Sequence, residues 1–272
     1  MHIDISNLPT DGFVACDRPP NMQIVHDAMA SWQRFCTLPL EQKRLFSGGN
    51  RIKDFGYMLR EDKGPNADAK ELFHVSRVQI EKLRTIAAKI HDSRAVLFID
   101  VVDELIAETI PIVSHFARNV QQVYRLPGFA ARVIAAQDQW VFRYVHYIAG
   151  DTLAHGHADR GGFTLHLNET ESGGEYFTFE GTWQPWLVSE KRTILFPSMA
   201  LQHFSKGQLK ALWHRVVANG KTRTAGRYSM VAFIDFFNDY RYDDSVKRLQ
   251  NFEPGFNYAM PHHEFHKLFI PT

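Results

Sequence analysis

A chain of 272 residues with 44% hydrophobic and 22% charged residues has the make-up of a soluble globular protein, long enough for one large domain or two small ones. Its 31 lysines and arginines nearly balance 30 aspartates and glutamates, so a net charge of +1 gives no electrostatic basis for a nucleic-acid or membrane partner. Two cysteines, Cys16 and Cys36, are too few for a disulfide framework; the start of the chain lacks signal-peptide features and no apolar run reaches 18 residues, so a cytoplasmic protein is expected.

In chain order, "PPNMQIVHDAMASWQRFCTLP" carries Met22, Val25, Met29, Trp32 and Phe35 at spacings of three and four, which predicts an amphipathic helix stopped by Pro39. The Gly-, Asp- and Asn-rich stretch 47–73 reads as a loop with a short strand. Lys82 to Tyr124 reads as a longer helical region, with Pro111 expected to kink or divide it. From residue 138 the pattern changes to short β-branched and aromatic segments, among them "QWVFRYVHYIAGD", "GGFTLHLNE", "RTILFPS", "KALWHRVVAN" and "RYSMVAFIDFF", separated by turn residues. Such spacing predicts a sandwich or barrel-like jelly roll. The expected organisation is one domain over 1–272, mainly β with flanking helices. Within it, 1–137 forms a mainly helical flank, 138–237 a β core, and 238–272 a closing helix and tail.

The chemistry concentrates in "HGHADRGGFTLHLNE". In extended backbone His157 and Asp159, at i and i+2, project from one face roughly 6.5–7 Å apart and can lean onto one cation. His214, between Leu212 and Val216 on a strand-like segment, is the candidate third ligand. Two histidines and a carboxylate leave coordination positions open, as non-haem Fe(II) oxygenases require. Including His155 instead gives His-x-His-x-Asp, the opening of the metallo-β-lactamase zinc motif and hence a zinc-hydrolase alternative; that motif expects a further histidine where Arg160 stands. Downstream, Arg227 and Ser229 share one strand face. A guanidinium on an inward apolar face calls for an anion, and the pair suits the distal carboxylate of a dicarboxylic keto acid. "PHHEFH" in the tail is one residue short of zincin spacing and reads as solvated.

Taken together these segments resemble the iron(II)/2-oxoglutarate-dependent dioxygenases of the isopenicillin N synthase-like group. "HADRGGFTLHL", "GGEYFTFEGTWQPW", "LQHFSKGQLKALWHRVVAN" and "RYS" are similar to the family's motifs in the family's order, as are "FCTLPLEQK" and "GYMLREDKGPNADAKELF" upstream. The resemblance implies a double-stranded β-helix core and Fe(II) on His157, Asp159 and His214. It further implies 2-oxoglutarate held by Arg227 and Ser229, with Tyr147 at the Arg-x-x-x-Tyr position that touches the co-substrate. The expected function is oxidation of an unactivated C–H bond of a small molecule with dioxygen, releasing succinate and CO2. An oxidase that dispenses with 2-oxoglutarate and a non-catalytic binding module are the alternatives. Two features depart from the pattern: Ile148 follows Tyr147 where the family has prolines, and Arg227 lies thirteen residues beyond His214, some three more than expected, which makes Arg223 a second candidate anchor.

Overall fold

The computed structural model describes residues 5, 6, 8, 12–16, 21–48, 55–60, 69–148, 152–178, 180–186 and 193–236, with backbone alone at 152, 153 and 155. The closing helix expected within 238–272 lies outside the described residues, as does the His-rich tail.

Strand β1 (Val14–Cys16) is followed by helix α1 (Met22–Cys36) and a short helix α2 (Leu40–Arg44). Asn21 caps α1, its side chain accepting from the Gln23 amide, and the predicted stripe is buried: Val25, Met29, Trp32 and Phe35 all face inward. The stretch read as a loop with one strand instead carries two, β2 (Gly56–Arg60) and β3 (Lys70–Val75), paired antiparallel from Gly56↔His74 to Arg60↔Lys70. The polar composition of the intervening residues masked this hairpin. The helical flank of 1–137 therefore also supplies three strands to the main sheet.

Helices α3 (Ile80–Ile90) and α4 (Ser93–Val123) divide at His91 and Asp92, not at Pro111. His91 takes a left-handed conformation with φ of 56°, and the Asp92 carboxylate caps α4 by accepting from the Arg94 amide at 2.9 Å. Pro111 sits inside an unbroken helix. It and Ala107, whose carbonyl loses its usual donor, are both on the exposed side, so the carbonyl is not buried without a donor. A short helix α5 (Phe129–Ala135) then leads into the β region.

Strands β4 (Val141–Tyr147), β6 (Phe163–Glu169), β9 (Thr193–Pro197) and β11 (Arg227–Ile234) join the first three in a seven-stranded sheet of order β1-β9-β6-β11-β4-β3-β2. Strands β5 (Thr152–His157), β7 (Gly174–Phe177), β8 (Trp183–Pro185) and β10 (His214–Val217) form a second sheet, ordered β5-β10-β7-β8. Every described pairing is antiparallel. Helices α6 (Met199–Phe204) and α7 (Gly220–Ala225) fill the connections.

Period-two alternation divides the large sheet's faces. Phe142 and Tyr144 of β4, with Met230, Ala232 and Ile234 of β11, pack under the helices, where Trp32, Phe35, Phe73 and Phe98 form a cluster of edge-to-face and tilted rings. Arg143, Val145 and Tyr147, with Arg227, Ser229, Val231 and Phe233, face the other way, into a cavity whose far wall belongs to β5 and β10. Among the described residues no helix is long and apolar enough to cross a membrane.

Candidate metal and co-substrate site

His157 ends β5 and His214 begins β10, and the antiparallel register sets the two directly opposite, with ring centroids 4.4 Å apart. Asp159 lies two residues past β5 in a connection held at several points. The Met199 amide of α6 donates to the Asp159 carbonyl at 2.8 Å, and the Gly162 amide donates to the Ile234 carbonyl at 3.0 Å. A side chain on Gly162 would strike the Phe236 ring and the Ile234 carbonyl, so this glycine lets the loop lie flat against β11. The result brings Asp159 Oδ1 to 3.7 Å from His157 Nε2 and Oδ2 to 3.9 Å from His214 Nε2. One ligand atom from each of the three residues lies within 4.8 Å of the others.

Neighbouring groups fix the donor atoms. His214 Nδ1 is 3.1 Å from the Leu212 carbonyl, so Nδ1 carries the proton and Nε2 keeps its lone pair towards Asp159. Thr164 on β6 donates its hydroxyl to Asp159 Oδ2 at 2.6 Å, orienting the carboxylate. Burial works to raise the Asp159 carboxyl, but the His214 and His157 rings, the Thr164 hydroxyl and the Arg143 charge outweigh it and hold the group below its usual range. It is thus an anion ready for a cation. An N,N,O donor set on one side of an ion, with His157 half exposed beside it, fits a divalent transition metal that retains open positions.

Arg227 is buried at 1% exposure, opposite Tyr147 in register, with its guanidinium carbon 5.5 Å from that ring. Its Nε donates to the Glu171 carbonyl at 2.9 Å and Nη2 pairs with Glu169. Nη1 is buried without a hydrogen-bond partner, and Arg227 and Ser229 both line the cavity that also reaches His157, Asp159 and His214. The cavity measures about 70 Å³. Arg223, the other candidate anchor, stands exposed on α7 away from it. That helical turn, capped by Asn219, is also what the additional residues between His214 and Arg227 form. The backbone of His155 lies on β5, but its side chain is outside the described residues.

Several cavity residues carried no signal that sequence reasoning used. Thr164 and His166 alternate on β6 within "FTLHL", and Glu169 ends that strand. Trp186 covers the His214 ring at 5.5 Å between centroids. The period-two pattern that exposed Arg227 would have found Thr164 and His166 as well, once β6 was given an inward face. Lys70 lines the cavity, whereas Glu71 and Phe73, its companions in the upstream motif, are on or under the helical side.

The sequence model of the 2OG-Fe(II) oxygenase superfamily matches residues 137–236. No curated protein sequence matches the chain. Among solved structures, JOX2 in complex with 2OG, Fe and JA superposes with a TM-score of 0.76 at 18% identity, covering 98% of this chain and 79% of the other. A full-length Neurospora crassa protein in complex with alpha-KG gives 0.72 at 16% identity, over 89% and 83%. A 2OG-Fe(II) oxygenase family protein from Caulobacter crescentus gives 0.71 at 21% identity, over 86% and 81%.

Proposed function

We propose that the chain, whose residues 137–236 match the sequence model of the 2OG-Fe(II) oxygenase superfamily, oxidises an unactivated C–H bond of a small molecule, coupled to conversion of 2-oxoglutarate to succinate and CO2. In this reading Fe(II) is held by His157, Asp159 and His214, and the distal carboxylate of 2-oxoglutarate by Arg227 and Ser229. Hydroxylation, desaturation and ring closure would all use the same ligand set.

The observation that carries the reading is a shared cavity. The far wall and the loop after β5 bring three metal-type donors together; on the large-sheet wall a buried guanidinium leaves one N–H without a partner. A buried cationic donor with an unmet hydrogen bond is costly unless an anion completes it. Bound iron would supply activation of dioxygen. The chain's own residues hold and orient. Thr164 and the Leu212 carbonyl fix the ligand atoms, Tyr147 flanks the guanidinium, and Trp186 and Phe196 keep water from the inner side of His214.

Succinate formation tests the proposal without knowledge of the substrate, because such sites turn over 2-oxoglutarate slowly on their own. Protein with Fe(II), 2-oxoglutarate and air is expected to release succinate above the protein-free control, and His214→Ala protein is expected to release none above it. Equal release by wild type and His214→Ala contradicts the ligand set. Oxygen uptake with no succinate points to an oxidase that does not use 2-oxoglutarate.

A further inference from the structure

We propose that His166 is a second anchor for the co-substrate and takes up one proton when 2-oxoglutarate binds. The proposal rests on Arg227 receiving the distal carboxylate. Arg227 does not offer a net positive charge, because Glu169, its side chain 5% exposed, is already paired with it. A carboxylate entering beside that neutral pair would be an uncompensated buried anion. At the metal end the charges close: a divalent ion with the Asp159 carboxylate retains one positive charge, which the chelating carboxylate meets. The surplus negative charge therefore falls at the Arg227 end.

His166 stands there. It is buried on the cavity wall, with Nε2 3.3 Å from the same Glu169 oxygen that pairs with Arg227. That contact makes Nε2 the N–H side of the ring, and Nδ1 is buried without a partner. Neutral, Nδ1 turns a lone pair toward an incoming carboxylate. A proton taken from solvent onto Nδ1 converts the repulsion into a charge-assisted hydrogen bond and balances the buried charges at this end: Arg227 and His166 against Glu169 and the ligand. The other polar and charged groups facing this cavity are Thr164 on the same strand, Ser229 on β11, Tyr147 and Arg143 on β4 and Lys70 on β3, besides the metal ligands. The Lys70 ammonium lies over the Tyr147 ring, and Arg143 donates to His74 and lies over Phe233.

Calorimetric titration of anaerobic Fe(II)-loaded protein with 2-oxoglutarate, repeated in buffers of unlike ionisation enthalpy, counts the protons. The expected result is an uptake of about one proton per 2-oxoglutarate and an apparent Kd that rises about tenfold per pH unit through the alkaline range. Glu169→Gln, which frees the Arg227 charge, is expected to bind with no proton uptake and a flat pH profile. His166→Gln is expected to bind about tenfold more weakly at neutral pH, also without uptake. Binding by wild type with no proton uptake overturns the proposal, as does undiminished uptake in His166→Gln. Absence of saturable binding in wild type contradicts the 2-oxoglutarate reading itself, and this proposal with it.

Discussion

Thr164 illustrates how a residue outside the ligand set controls it. Its hydroxyl is 2.6 Å from Asp159 Oδ2 and 3.2 Å from Ser198 Oγ, so it decides which way the carboxylate faces. Thr164→Val keeps the shape of the side chain and removes the bond; iron affinity, read by anaerobic titration, is expected to fall about 10- to 100-fold. Arg227→Ala removes a charge-assisted bond worth roughly 1.5–3 kcal/mol, raising the apparent 2-oxoglutarate constant about 10- to 150-fold. The same change strands Glu169, whose carboxyl burial would raise but the Arg227 charge, with His166, holds below its ordinary range. Thermal stability is expected to drop in Arg227→Ala and to recover in the Arg227→Ala/Glu169→Gln double variant, which separates lost binding from lost pairing. At this scale the sequence was most legible where a charged residue interrupts an apolar strand face, as Arg227 does. It was least legible at Thr164 and His166, which look like ordinary strand residues until the metal ligands give their face a meaning.

Elements position these residues through backbone register, and small residues mark where two elements come close. Gly174 on β7 pairs with Val216 beside His214, and an added Cβ there would fall 1.9 Å from the Trp186 indole nitrogen. Gly174→Ala must therefore push Trp186 off the His214 ring, at a cost of about 1–3 kcal/mol in stability and with weaker iron binding, checked by thermal melting and iron titration. Among the helices, Asp92 begins α4 where Pro111 fails to end it. Asp92→Ala is expected to cost about 1 kcal/mol, a fall in Tm of about 2–4 °C, with no change in iron affinity. The amphipathic stripe of α1 and the β segments after residue 138 could be read from periodicity alone. The α3–α4 division and the β2–β3 hairpin could not, because a left-handed histidine and polar strand ends leave no periodic trace.

Across the whole molecule, the helical layer and the large sheet meet at a buried ionic knot. Glu71 accepts from Lys43, from the Tyr57 hydroxyl at 2.6 Å and from His146 at 2.9 Å, and the His146 ring stacks on Tyr228 at 4.1 Å. Burial acts to raise the Glu71 carboxyl, yet the hydrogen bonds from His146, Lys43 and Tyr57 and the Lys43 charge bring it down to about 2. A carboxyl lowered on folding stabilises the folded state above its unfolded pKa, and that contribution is lost as the pH falls from about 4.5 to about 2. Glu71→Gln is expected to be less stable at neutral pH and to lose less stability than wild type over that acid range. Parallel acid-dependent melting curves for the two proteins would contradict this. The central claim concerns the cavity on the other side of the same sheet. Its most direct test is the weak visible charge-transfer band that forms when 2-oxoglutarate chelates Fe(II), recorded anaerobically. The account predicts the band in wild type and His155→Ala, its loss in His214→Ala and Asp159→Ala, and a shift to higher 2-oxoglutarate concentration in Arg227→Ala; no band in wild type, or an undiminished band in His214→Ala, would contradict it.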